Sequence, residues 1–283
     1  MKLVRYGPAG REKPGLIDAD GVLRDLSRKV DDIDADALSP MSLSGLRKLD
    51  TRRLPVVKGR PRLGACIATP SKFVALGLNY TDHAKETGAP IPEAPVVFFK
   101  SPTCIVGAND NVMVPADSTQ LDWEVELGVV IGTPGVYIEE RDALDHVAGY
   151  ILGIDFSERD FQFNRGGQGF KGKSADTFAP LGPWLATREE IPDSQALGLR
   201  LSVNGVEKQN GSTRDMIFSV AALVAYTSRF MSLQPGDVIL TGTPAGVGLG
   251  QKPPTYLKPG DVVTASIDGL GEQRHVVVAS RQR

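Results

Sequence analysis

The chain is poor in the residues that announce a zinc or redox centre: two cysteines, Cys66 and Cys104, and three histidines in 283 residues. The cysteines have no metal-type spacing, and a disulfide is not expected, which suits a reducing cytosol. Charge of one sign is also missing, since 32 Lys and Arg stand against 34 Asp and Glu for a net charge of -2. That excludes a basic footprint for nucleic acid or an acidic membrane surface, while leaving room for a small anionic ligand held by local charge. Long apolar runs are absent too. The longest, Ile217 to Tyr226, falls well short of the ~20 residues that cross a bilayer. The opening Met1-Lys-Leu-Val-Arg-Tyr-Gly-Pro8 lacks the apolar centre of a signal peptide. A soluble, cytoplasmic protein is expected.

Turn formers are plentiful, with 31 Gly and 20 Pro, and between them lie short β-rich runs. These are Lys2–Tyr6, Phe73–Leu76, Val96–Phe99, Glu124–Ile131, Tyr150–Ile154, Leu199–Val203, Val238–Leu240 and Val262–Ile267. Asn204-Gly205 is a hairpin signal. One clear helix is predicted, from an N-cap at Ser219 through Phe230 to a stop at Pro235-Gly236. The fold class is therefore α+β and β-rich. Residues 1–65 read as a small N-terminal domain, because Pro/Gly density at 55–65 marks a connection; residues 66–283 read as the main domain.

Glu124 and Glu126 flank Val125 in an apolar run. Residues i and i+2 of a strand leave the same face, so both carboxylates point one way. Two like charges side by side in a half-buried sheet repel unless one takes a proton or a hard divalent cation lies between them. A solvated strand face explains the pair equally well when it is taken alone. Asp155 shifts the balance, ending the stretch Gly149–Ile154 just before a polar cluster. Three oxygen donors without a Cys or His cluster suit Mg²⁺ or Mn²⁺ better than zinc. His83 and Glu86 stand three apart and share a face if their segment is helical. The carboxylate would then orient the imidazole and raise its basicity for activating water; the same spacing also fits a surface ion pair. His146 and His275 read as structural.

These pieces occur in a fixed order: Gly77-Leu-Asn-Tyr-Thr-Asp-His-Ala-Lys-Glu86, Glu124-Val-Glu126, Asp155-Phe-Ser-Glu-Arg-Asp160, Gly172-Lys-Ser174 and Thr241-Gly-Thr-Pro-Ala-Gly-Val-Gly248. In that order they resemble the fumarylacetoacetate hydrolase family in its short bacterial form, over roughly residue 65 to the C-terminus. The resemblance implies mixed sheets rolled around a central metal site. It gives Glu124, Glu126 and Asp155 as metal ligands, the dyad His83 and Glu86 as general base beneath a lid, and Lys173 as the charge stabilising an enolate. Lys171 competes with Lys173 for that role. Arg159, Gln162 and Thr243 are the implied substrate contacts, with Gly246 beside Thr243, while Lys100 and Asp160 read as salt-bridge partners. Glu158 replaces the family's usual Ala, adding a carboxylate that is expected near the site.

The implied reaction is metal-dependent cleavage of a carbon–carbon bond in a 2,4-diketo acid, giving pyruvate and a carboxylic acid, by a homodimer. Phe163–Phe178 resembles members acting on 2,4-diketo-3-deoxy sugar acids such as the fuconate derivative. Oxaloacetate decarboxylase, ureidoglycolate lyase and hydroxymuconate isomerase remain alternatives on the same metal–enolate site, and a non-catalytic binder of acidic sugars is a further one.

Overall fold

The computed structural model describes residues 1–280. Among the described residues, nine strands form one sheet in the spatial order Leu23–Asp25, Lys13–Ile17, Lys2–Tyr6, Leu185–Thr187, Val147–Ile154, Val125–Ile131, Val238–Leu240, Phe73–Gly77 and Val96–Phe99. A second sheet runs Val206–Ser212, Gly198–Val203, Val262–Ile267, Gly271–Ala279 and Val112–Val114. Helices are few and short, so the α+β, mixed-sheet expectation holds. Val238–Leu240 runs parallel to Phe73–Gly77 on one side and antiparallel to Val125–Ile131 on the other.

Val125–Ile131 and Val147–Ile154 are buried at every position, because Gly198–Val203 and Val262–Ile267 of the second sheet pack against them. Burial on both faces explains why these segments are near-continuous apolar runs. Each fully buried Val, Leu or Ile adds about 1.5–3 kcal/mol of transfer free energy. The same burial excludes a solvated face for the glutamate pair, since Glu124 is 5 % and Glu126 1 % exposed.

Register carries this packing into the site. Ile154 lies opposite Val125 and Gly153 opposite Glu126, so Asp155, one residue further, falls beside Glu124. Its N–H donates to the Glu124 carbonyl at 2.9 Å. A slip of one residue would turn the apolar side chains out of the core, and core packing thus sets where the third acid stands.

The first 65 residues add three strands to the same nine-stranded sheet, through Lys2–Tyr6 paired antiparallel with Leu185–Thr187. Arg62 ties this segment to the body, reaching Glu12 at 2.8 Å and Asp110 at 2.5 Å. The predicted hairpin is present, with Asn204 and Gly205 at φ +52° and +78°, as a two-residue turn of the tight primed type requires. The helix after Ser219 is shorter than predicted. It spans Val220–Thr227, and Ser228 ends it by donating its hydroxyl to the Ala225 carbonyl at 2.7 Å while accepting from the Ile138 N–H at 2.8 Å. Phe230, read from sequence as part of this helix, lies beyond its end and is 64 % exposed. No described helix is long and apolar enough to cross a membrane.

Candidate active site

Glu124, Glu126 and Asp155 converge at the ends of the two central strands, each offering an oxygen within 4.8 Å of the others. Three cations surround them. Lys173, at the end of the short helix Phe170–Lys173, places Nζ 2.6 Å from Glu124 Oε2 and 2.7 Å from Asp155 Oδ2. Lys100, the residue after strand Val96–Phe99, reaches the other Asp155 oxygen at 2.5 Å and also donates to the Lys173 carbonyl. Arg159 donates Nη2 to Glu124 Oε1 at 2.6 Å, Nε to Asp122 Oδ2 at 2.9 Å and Nη1 to Gln162 Oε1 at 3.0 Å.

These contacts split the carboxylates electrostatically. Burial opposes ionisation of Glu124, but the charges of Lys173 and Arg159 overcome it and hold its pKa well below the usual carboxylate range. Glu126 goes the other way. Burial, then repulsion by Asp155 and Glu124, pushes its pKa well above normal; its recorded hydrogen bond is from the Gly242 N–H at 2.8 Å, and no salt bridge reaches it among the described residues. A buried carboxylate beside two others without a cation of its own takes a proton or shares a metal ion.

Opposite this floor, the helix Thr81–Thr87 carries the histidine. His83 is 7 % exposed, with Nδ1 3.5 Å from Glu86 Oε2. Glu86 is itself held, accepting the Gly246 N–H at 3.0 and 3.1 Å on its two oxygens, and Asp82 accepts the Ala245 N–H at 3.2 Å. The loop that receives them demands glycine: Gly246 has φ +108° and a Cβ there would lie 1.9 Å from the Lys208 carbonyl oxygen, while one on Gly250 would lie 2.2 Å from Glu86 Cδ. Between floor and helix lies a cavity of about 500 Å³ lined by His83, Glu124, Glu126, Arg159, Gln162, Lys173 and Thr243 together with apolar side chains.

The structure thus brings together the sequence-predicted residues, and it sharpens several roles. Asp155 joins the floor without lining the cavity. Lys173, not Lys171, enters the cluster; Lys171 is exposed and donates to the Arg165 carbonyl at 2.5 Å. Arg159 is 4 % exposed and already bonded through every guanidinium nitrogen. Thr243 donates its hydroxyl to the Val125 carbonyl at 2.9 Å and accepts from Gln209 Nε2 at 2.8 Å, so its proton is committed to the strand. Asp160 belongs to a surface pair with Arg165 at 2.7 Å.

Glu158 corrects the sequence expectation. It is fully buried away from the cavity wall and caps the helix Arg159–Phe163, accepting the Asp160 N–H at 3.0 Å, the Gln120 N–H at 2.9 Å and the Ser118 hydroxyl. Three donors close at hand make a carboxylate useful there.

Sequence reasoning missed Asp122 and Gln209, and it undervalued Lys100. Asp122 accepts from Arg159 and from the Gly248 and Leu249 N–H groups at 2.6 and 2.9 Å. Gln209, fully buried in strand Val206–Ser212 of the second sheet, accepts the Val125 N–H at 3.0 Å and donates to Thr243 Oγ1 and the Pro244 carbonyl, both at 2.8 Å. A glutamine in a polar hairpin strand gives no signal of this role, whereas Asp122 stands two residues before the glutamate pair and was open to notice.

A carboxylate triad on a two-sheet α+β scaffold, faced by a histidine–glutamate pair across a cavity, defines an enzyme site of the acid-cluster class. The chain belongs to the fumarylacetoacetate hydrolase family, residues 72–278 matching the fumarylacetoacetate (FAA) hydrolase C-terminal model. A Burkholderia multivorans protein, described as a hydrolase with no substrate named, is 56 % identical over 282 residues, covering 99 % of this chain and 100 % of that one. The fumarylacetoacetate hydrolase of Exiguobacterium antarcticum superposes with TM-score 0.86 at 36 % identity, over 99 % of this chain and 100 % of that one. Maleylpyruvate hydrolase from Sphingobium sp. SYK-6, solved in complex with manganese(II) and pyruvate, superposes with TM-score 0.82 at 26 % identity and the same coverage.

Proposed function

We propose that this chain hydrolyses a carbon–carbon bond of a 2,4-diketo acid, an acylpyruvate or a 2,4-diketo-3-deoxy sugar acid, to pyruvate and a carboxylic acid, using a divalent cation. The observation that carries this reading is Glu126, a buried carboxylate beside two others and without a cationic partner among the described residues. The buried carboxylates Asp122, Glu124, Glu126 and Asp155 face three cations, Lys100, Arg159 and Lys173. One negative charge is left over, and a divalent ion would turn it into one positive charge, the complement of a 2-oxo-acid anion. Glu124, Glu126 and Asp155 would hold the ion, Mg²⁺ with Mn²⁺ as the alternative, through lone pairs not used by the ammonium groups. Bound there, it would supply Lewis acidity to the 2-oxo-acid end.

The remaining chemistry falls to side chains of the chain. His83, oriented by Glu86, takes a proton from water as the water oxygen bonds to the distal carbonyl carbon. The bond between that carbon and the neighbouring CH₂ breaks, and its electron pair stays on the CH₂ carbon as the enolate of pyruvate. Lys173, whose charge is favoured by Asp155 and Glu124 against the opposing effect of burial, stabilises the enolate until carbon takes up a proton. The carboxylic acid leaves with the oxygen of the water.

The test is pyruvate release from acylpyruvates, a diketo-deoxy sugar acid and oxaloacetate, with Mg²⁺ or chelator. His83→Ala is expected to lower diketo-acid turnover by about 10²–10⁴-fold with divalent-ion affinity unchanged. Turnover of oxaloacetate alone, unaffected by His83→Ala, would replace hydrolysis by decarboxylation, which needs no attacking water. Silence on every compound would favour the lyase, isomerase or binder readings. We place the enzyme in the cytoplasm as a homodimer, a reading supported by two free buried thiols and by the exposed Val136, Tyr137 and Phe230. Light scattering that returns a monomer would discard the dimer.

A further inference from the structure

We infer that the part of the cavity beyond the carboxylate floor is an acyl subsite for an uncharged apolar chain or ring, larger than acetyl, rather than for a second carboxylate or a polyhydroxyl tail. The acylpyruvate reading enters only in saying which end of the substrate lies on the floor.

The apolar wall of the cavity is built from Leu76, Leu78, Val96, Phe98, Phe163 and Leu249. It begins at the floor itself, where Lys173 Nζ lies 5.4 Å from the centre of the Phe98 ring. Val96 and Phe163 are 45 % and 57 % exposed although they line a cavity, so apolar surface stands open where a substrate would cover it. A volume of about 500 Å³ is in the range of small-molecule sites, ~300–1,000 Å³, and exceeds what a three-carbon 2-oxo acid fills.

Charge excludes the alternatives. Among the described residues lining the cavity the cationic side chains besides His83 are Arg159 and Lys173. Arg159 is bonded to Asp122, Glu124 and Gln162, and Lys173 to Glu124 and Asp155, so both cations stand at the floor, where the 2-oxo-acid end of the substrate lies. A second carboxylate on the substrate would therefore lie against leucine, valine and phenylalanine without a counter-charge. Hydroxyl groups fare little better. Thr243 has its proton on the Val125 carbonyl, Thr87 has its own on the His83 carbonyl at 2.9 Å, and the Gln162 oxygen is taken by Arg159, which leaves the Gln162 amide N–H₂ alone to meet the several hydroxyls of a polyol tail. The likeness of Phe163–Phe178 to sugar-acid enzymes is thus not matched by the wall that Phe163 helps to build.

The experiment is calorimetric binding to the Mg²⁺-loaded protein of 2-oxobutanoate, 2-oxohexanoate, 2-oxooctanoate and 2-oxoadipate, the last matching 2-oxohexanoate in length but ending in a carboxylate. Kd is expected to fall by up to about fourfold per added methylene, and 2-oxoadipate to bind at least about tenfold more weakly than 2-oxohexanoate. Val96→Arg, at a half-exposed position on the edge strand, should narrow or reverse that gap. Equal or tighter binding of 2-oxoadipate to wild type, no dependence on chain length, or no binding of any of the four would overturn the inference. Pyruvate release from hexanoylpyruvate and succinylpyruvate separates this from the proposed reaction. Graded binding without release would reject the hydrolysis and leave the subsite standing, whereas faster release from succinylpyruvate would reject the subsite and leave the hydrolysis.

Discussion

The carboxylate floor and the histidine helix above it are built in opposite ways. The floor comes from strand register: Glu126 on one strand with Glu124 just before its first residue, Asp155 just past its neighbour, each locked by ion pairs or backbone groups between fully buried apolar residues. The helix Thr81–Thr87 is one short element whose side-chain anchorage to the facing loop is Asp82 on the Ala245 N–H and Glu86 on the Gly246 N–H. Floor geometry is therefore a property of the whole fold, while the position of His83 is a local matter that a few hydrogen bonds decide. On the proposed reaction, the comparison implies that ion binding and water activation should be separable by substitution.

The largest separation is expected from Glu126→Gln. It removes the carboxylate that has no salt bridge among the described residues but keeps its volume, so turnover should fall on the order of 10³-fold or more while the circular dichroism spectrum stays native. Calorimetry should show divalent-ion binding lost, and full activity in this variant would discard the metal assignment. Next comes Gly250→Ala, aimed at the helix alone. Its Cβ would press on Glu86 Cδ, and a displaced dyad should lower kcat about 10- to 100-fold with the ion's Kd within twofold of wild type. A change in ion affinity as large as that in kcat would show that floor and helix are not independent.

The smallest effect concerns the support beneath the floor. His275 lies in strand Gly271–Ala279, its Nδ1 2.7 Å from the Asp110 carbonyl, next to Gln273, whose amide donates to the Leu152 and Gly182 carbonyls at 2.9 and 2.7 Å. Burial lowers the His275 pKa to about 4, against the pull of Asp110. The unfolded chain therefore takes up this proton first. The stabilisation is full above pH ~6.5 and is lost as pH falls towards about 4. The contact of Nε2 with Gln273 Oε1 at 3.0 Å favours the charged ring and works to flatten that slope. Urea unfolding at pH 7, 6 and 5 should show wild type losing more stability than His275→Gln; parallel curves would mean that the imidazole keeps its proton when buried.

Legibility followed the same division. Floor acids could be picked out because they interrupt apolar runs, and the runs Lys2–Tyr6, Val96–Phe99 and Val262–Ile267 coincide with strands end to end. The family's mixed-sheet fold was likewise readable from its ordered motifs. Hidden were contributions that depend on distant segments meeting. Lys100 and Lys173 share Asp155 across 73 residues of chain, and local pattern carries no trace of that. Glu158 misled because a motif position suggests proximity, while the direction of its side chain is decided by two donors on the loop at Ser118 and Gln120 and one in the helix it caps. The apolar wall was equally invisible, since Leu78, Phe98 and Leu249 look like ordinary core residues until the cavity they face is seen. The helix after Ser219 was overextended because apolar spacing continues past the point where Ser228 folds back on it.

Gln209 has a bearing on how this scaffold can be altered. The Asn204-Gly205 turn joins two strands at a surface edge, a place where added residues are ordinarily tolerated. Lengthening the return strand before residue 209 by one residue would swing the glutamine amide to the opposite side of the sheet, leaving the Val125 N–H, Thr243 and the Pro244 carbonyl without their partner. The number of residues between that turn and Gln209 is therefore dictated from inside the protein, and a graft meant to reshape this edge has to begin beyond it.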